Sequence, residues 1–212
     1  MPGTPFIRLA ALYKTILVGL MLVPFCVASD HWNYEESHDE VRDFVSGGML
    51  HVRISVGDMR VTRSDSNRIR LHYTVKSRRE SAVRNAHVEF EVHGRDANIE
   101  LRAPTTGGNT QFDVELEVPQ NTHLDVHEKV GDLTVGDVEG DKDLELGVGD
   151  IRIAVARASY HLVRASAGIG DVNGDGYGET SGWLGKTLKY NGDGKYELRA
   201  HVGVGDITLE GK

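Results

Sequence analysis

The chain has 212 residues, 32 of them acidic against 24 basic, and a formal charge of −8. That balance argues against nucleic acid or anionic lipid as a partner, because both demand a cationic surface. The one cysteine, Cys26, lies in an apolar N-terminal stretch, so the rest of the chain has no disulfide, no cysteine nucleophile and no thiolate metal ligand.

Residues 1–29 have the three-part grammar of a secretory signal: Arg8 and Lys14, an apolar run over residues 16–27, then the small residues Ala28 and Ser29. The run is shorter than the roughly 20 residues of a membrane-spanning helix. Cleavage near Ala28 or Ser29 removes two positive charges from the −8 and leaves −10. The reading divides the chain into a signal peptide (1–29), a polar leader (30–46) expected to be loosely ordered or a short helix, and one β domain (47–212). An extracytoplasmic location follows, in the periplasm or at the cell surface, with no membrane span after cleavage.

Beyond the leader, apolar and polar residues alternate with period two, the signature of a half-buried strand. Leu50, Val52, Ile54 and Val56 form one such series. Ile69, Leu71, Tyr73 and Val75 form a second, Val88, Phe90 and Val92 a third, and Phe112, Val114, Leu116 and Val118 a fourth. Between the second and third, residues 77–86 are charged and almost free of β-branched residues, which predicts one short helix.

From about Asn121 the strands shorten and a tetrapeptide returns. Val56-Gly57-Asp58-Met59 recurs as Val130-Gly131-Asp132-Leu133, Val135-Gly136-Asp137-Val138, Val148-Gly149-Asp150-Ile151, Ile169-Gly170-Asp171-Val172 and Val204-Gly205-Asp206-Ile207. Glycine admits positive φ and aspartate bonds nearby backbone amides, so the pair bends the chain between two apolar residues. The glycines from 131 onward are 5, 13, 21 and 35 residues apart, too irregular for a strict repeat. The expected fold class is all-β: a β-solenoid or β-roll resembling a parallel β-helix, or alternatively an antiparallel β-sandwich.

These turns, the opening Gly47-Gly48-Met49-Leu50-His51-Val52 and the closing Val202-Gly203-Val204-Gly205-Asp206-Ile207-Thr208-Leu209 resemble the DUF4097 group of bacterial adhesin-like proteins, related to auto-transporter adhesin head domains. The resemblance covers about residues 45–210. It implies an extracytoplasmic β-solenoid-like domain without established catalysis.

Residues 171–179 match the start of a calcium loop, with oxygen ligands at Asp171, Asn173 and Asp175, Gly176 at position six and Glu179 at nine. The twelfth position, which needs a bidentate Glu, is Gly182, and no helical pattern flanks the loop, so it reads as a glycine-rich hairpin. His123, Asp125 and His127 share one strand face, a geometry able to chelate zinc or nickel. Histidines recur at other solvent-facing positions, and the triplet reads as a polar face. No Gly-x-Ser-x-Gly elbow is present. The cations Lys76, Arg78, Arg79 and Arg84 read as the solvated side of the short helix. Tyr177, Trp183 and Tyr190 lie on a glycine-rich connection, where aromatic rings either stack on a sugar or a partner or cap the core; they are the candidate interaction surface.

The sequence thus points to a non-catalytic binding or structural module of the bacterial envelope, with no cofactor and with an envelope protein or glycan as partner. The alternatives are a carbohydrate-active enzyme on a β-helix scaffold and a self-associating envelope scaffold.

Overall fold

Period-two patterning becomes β-structure from Tyr34 to Gly211 in the structure, a computed structural model that describes residues 32–104, 109–174, 176–178, 180–182 and 185–211. The first half contains β1 (Tyr34–Asp43), β2 (Gly48–Ile54), β3 (Gly57–Ser64), β4 (Arg68–Ser77), a short helix α1 (Glu80–Arg84), β5 (His87–His93), β6 (Asp96–Arg102) and β7 (Thr110–Pro119). The second half contains β8 (Thr122–Val130), β9 (Leu133–Val135), β10 (Lys142–Val148), β11 (Ile151–Val155), β12 (Tyr160–Ile169), β13 (Val172–Gly174), β14 (Thr180–Ser181), β15 (Lys186–Asn191), β16 (Tyr196–Val204) and β17 (Ile207–Gly211). The expected N-terminal signal lies outside the described residues.

Two sheets result, one in the order β1-β4-β7-β3-β9-β11-β17-β13 and one in the order β14-β15-β12-β16-β10-β8-β2-β6-β5. Their apolar faces share one core, to which each strand contributes alternate residues: Leu50, Val52 and Ile54 from β2, Phe112, Val114, Leu116 and Val118 from β7, Leu144 and Leu146 from β10. The predicted helix over residues 77–86 is α1, whose Ala82 and Val83 are buried. The polar leader is corrected: it carries β1, paired antiparallel with β4 from Tyr34↔Ser77 to Asp43↔Arg68. Most of β1 is exposed, which is why its sequence shows no apolar alternation.

The Gly-Asp turns set the topology. Each of five carries a strand of the nine-stranded sheet into one of the eight-stranded sheet: β2 into β3, β8 into β9, β10 into β11, β12 into β13 and β16 into β17. Because the chain crosses in the same sense each time, neighbours in the middle of both sheets run parallel. The flanks are antiparallel, at β1 with β4, β4 with β7, β5 with β6, and β15 with β12 and β14. Neither expected architecture describes the whole. The centre has the parallel strands of a roll and the margins have the hairpins of a sandwich. The stacking also departs from chain order, because β16 lies between β10 and β12, and β17 between β11 and β13.

Stacked turns make a column. The backbone N–H of Asp132 donates to Asp58 Oδ1 at 3.1 Å, that of Asp150 to Asp132 Oδ1 at 3.0 Å, that of Asp206 to Asp150 Oδ1 at 2.9 Å, and that of Asp171 to Asp206 Oδ1 at 2.7 Å. Each aspartate therefore receives the next rung, and the side chain that bends the chain also joins one turn to another. The glycines are obligatory for a related reason. Gly149 has φ +134°, and a Cβ there would lie 1.7 Å from the carbonyl oxygen of Gly131. The sixth tetrapeptide does not join the column: the Gly136 N–H donates to Val61 O at 2.8 Å at the opposite end of β9, and Asp137 faces Arg63 at 3.7 Å.

Two ionisable side chains are buried at opposite ends of the strands. Glu128, on β8 beside the glycine column, has no hydrogen-bond partner at either carboxyl oxygen. Burial, with smaller contributions from the charges of Asp58 and Asp132, pushes its carboxyl up to about 8. Lys142 starts β10 and donates from Nζ to Val138 O at 2.6 Å, to Gly140 O at 3.2 Å and to the Tyr160 hydroxyl. Burial brings its amine down to about 8, against the opposing pull of Asp141, Asp137 and Glu139.

Candidate binding face

Strand alternation sends the polar residues of the nine-stranded sheet outward, and the register of the parallel strands lines them up in rows. His51 is level with Asp125, Asp125 with Asp143, and Asp143 with Arg199. The row continues through Arg164 to Lys189 on the antiparallel margin. A second row runs Arg53, His127, Glu145, His201, Ser166 and Thr187. The first row is acidic at its centre and cationic toward β15.

Short contacts tie the rows together. His51 Nδ1 is 2.6 Å from Asp125 Oδ2, while Asp125 Oδ1 is 2.9 Å from His127 Nε2. The other nitrogen of His127 is 2.9 Å from Glu145 Oε2. One carboxylate and one imidazole thus link three neighbouring strands. His201 Nδ1 and Ser166 Oγ are 2.9 Å apart, and Arg199 Nη2 is 2.8 Å from Glu197 Oε1. His51, Asp125, His127, Asp143, Glu197 and Arg199 border a hollow of about 620 Å³ that also takes in His161, Lys195 and Asp141. A second, of about 460 Å³, lies toward the turns and is bordered by Arg53, Arg102, His127 and Lys129.

The shared face predicted for His123, Asp125 and His127 is present, but the three side chains do not converge. His123 Nδ1 meets the backbone N–H of Asp141 at 3.1 Å, whereas His127 turns to Asp125 and Glu145. Among the described residues no group of three His, Cys, Asp or Glu is placed to hold a metal ion. In the calcium-like segment, Asp171 belongs to the aspartate column and Asn173 to β13, level with Thr208. Asp175 and Glu179 lie outside the described residues.

The aromatic trio is divided. Tyr177 is 1% exposed and its hydroxyl donates to Val155 O at 3.1 Å, so of the two alternatives its ring covers the core and is not part of the candidate interaction surface. Tyr190 is half-buried, edge-on to Tyr177 at 5.5 Å, with the Arg157 guanidinium 4.7 Å from its ring centre. Trp183 lies outside the described residues. Within the basic cluster, Lys76 pairs with Asp113 and Arg84 with Glu80. Sequence reasoning missed Asp143, Glu145, Arg164 and Arg199 as companions of the histidines. Their strand alternation was visible, but which strands are neighbours was not.

No family model matches the sequence, and no curated protein does. Solved structures do match. A "putative cell adhesion protein" from Clostridium sporogenes ATCC 15579 aligns with a TM-score of 0.53 at 16% identity, over 84% of this chain and 100% of that one. A "putative adhesin" from Parabacteroides distasonis ATCC 8503 aligns over 82% of this chain and 70% of that one, at 13% identity and a TM-score of 0.29. The first likeness shows a shared fold. No described helix is long and apolar enough to cross a membrane.

Proposed function

We propose that the protein is a non-catalytic binding module of the bacterial envelope, a distant member of the DUF4097 group, exported by cleavage of residues 1–29 and acting outside the cytoplasm. The β domain of this reading begins at β1 rather than at residue 47. The observation that carries it is the outward face of the nine-stranded sheet, where two rows of ordered donors and acceptors are held on a rigid grid about 4.8 Å apart from strand to strand. Such a face suits an extended polar polymer, a glycan or a protein segment, met by many modest hydrogen bonds. The imidazoles and carboxylates of the two rows meet its hydroxyl or amide groups. Arg199, Arg164 and Lys189 supply the charge for acidic substituents. Tyr177 belongs to the reading as a cap of the core, and Tyr190 is the ring of that region still within reach of a ligand.

The test presents the purified protein to a glycan array and to a solubilised envelope fraction, beside an Arg164→Glu/Arg199→Glu variant. The expected result is retention of a defined glycan or protein by the wild type and at least about tenfold weaker binding by the variant, or ~1.4 kcal/mol. Equal binding by both proteins, or none by either, would refute this face as the site.

A further inference from the structure

The aliphatic residue that opens each stacked turn is outside the core. Val56, Val130, Val148, Val204 and Ile169 are 36%, 44%, 47%, 44% and 58% exposed, and they account for five of the eight exposed large apolar side chains among the described residues. Register stacks four of them, Val148 level with Val130 and with Val204, and Val204 with Ile169, and Val56 opens the turn whose Gly57 carbonyl lies against Gly131. The result is an aliphatic ladder of five rungs, about 19 Å long at about 4.8 Å per rung. On one side runs the aspartate column. On the other is a strip formed at three rungs by Gly147, Gly203 and Gly168, where a Cβ would meet the carbonyl oxygens of Lys129, Gly147 and Gly203 at 2.4, 2.6 and 2.6 Å, and at the remaining two by Lys129 and Ser55.

We infer that this ladder is a self-association surface whose occupant is the same ladder of a second copy. Spacing is the first reason. A helix offers one side chain per 5.4 Å turn and falls about half a rung out of step over four rungs, whereas a second β-ladder stays in step along its whole length. Charge is the second. A two-fold axis along the ladder carries the aspartates of the two copies to opposite flanks, while an axis across it would set the two acidic columns face to face. Under the first arrangement each rung meets its own counterpart, and the glycine strips let the backbones approach, as in dry β-ladder interfaces. The ladder offers on the order of a few hundred Å², less than the ~800 Å² per partner of a stable interface, so pairing is weak and depends on local concentration. The ladder runs along the turn edge of the polar sheet face, with Gly147 bordering the hollow of about 460 Å³, and its pairing does not depend on that face binding anything.

Sedimentation equilibrium of the purified protein tests it, up to about 1 mM and with or without about 0.5 M sodium sulfate, which screens the acidic charge and strengthens apolar burial. The expected result is a mass that climbs toward two copies and no further, more so in sulfate. A Val148→Asp/Val204→Asp variant is expected to associate at least about tenfold more weakly while still melting cooperatively, because both side chains lie outside the core and are about half exposed. Val148→Ser/Val204→Ser serves if the charged pair impairs folding. Val41→Lys on the β1 edge should pair like the wild type. A strictly monomeric wild type at the highest concentration in sulfate overturns the inference, as does association that survives the double variant, is lost in Val41→Lys, or grows past two copies.

Discussion

Glu128 and Lys142 show what single residues contribute against the grain of the core. In unfolded chain Glu128 loses its proton near 4.5, whereas in the fold burial holds the proton to about 8. Between those values the native state binds one proton more than the unfolded state, so stability falls as pH rises, by up to about 1.4 kcal/mol per pH unit. Lys142 acts in the next window. Its amine is brought from 10.5 to about 8, so between these values the unfolded state binds the extra proton and stability rises with pH. Together the two groups place a stability minimum near pH 8. Chemical denaturation across pH 5 to 10 should reveal it, and Glu128→Gln should remove the falling limb while stabilising the protein at pH 8 by about 1–3 kcal/mol. A variant with the same falling limb as the wild type would mean that Glu128 is already charged at neutral pH.

At the scale of the element, the Gly-Asp turn does two jobs with two residues. Glycine lets one turn lie against the next, and aspartate accepts the N–H that the next turn presents. Gly149→Ala sets a methyl against the Gly131 carbonyl at a backbone angle that alanine resists, and is expected to cost about 3 kcal/mol or more, measured as a lower denaturation midpoint. Asp150→Ala frees the Asp206 N–H to exposed solvent and should cost only about 1 kcal/mol, with Asp150→Asn recovering most of it. The ranking matters more than the sizes: an aspartate loss exceeding the glycine loss would contradict this account of the column. The sixth copy shows the limit of motif reading, since Val135-Gly136-Asp137-Val138 has the same residues but sits on a return connection.

For the whole molecule the decisive fact is the order of strands. The C-terminal pair β16 and β17 lies inside both sheets, with β10 and β11 on one side and β12 and β13 on the other. Removing residues 196–211 therefore takes out an interior rung and separates β12 and β13 from the rest of their sheets, whereas the last coil of a solenoid stacked in chain order would only shorten one end. The truncated protein is expected to show no cooperative melting by circular dichroism, and a sharp transition near that of the full chain would contradict the topology. Closing these long-range parallel pairs also implies slow folding relative to helical proteins of the same size.

Sequence alone determined the β class, the buried faces of β2, β4 and β7, the helix α1, the shared face of His123, Asp125 and His127, and the turns. All of these are local: period two, glycine and aspartate act over a few residues. Tertiary structure alone decided the rest. It made a strand of the polar leader, because pairing at an edge needs no apolar face. It buried Tyr177, put Asp143 and Arg199 beside the histidine row, and turned Val56 outward although its alternation assigned it to the core with Ile54. Each of these depends on which strands are neighbours, and that is fixed by packing between segments far apart in the chain, about which local periodicity says nothing.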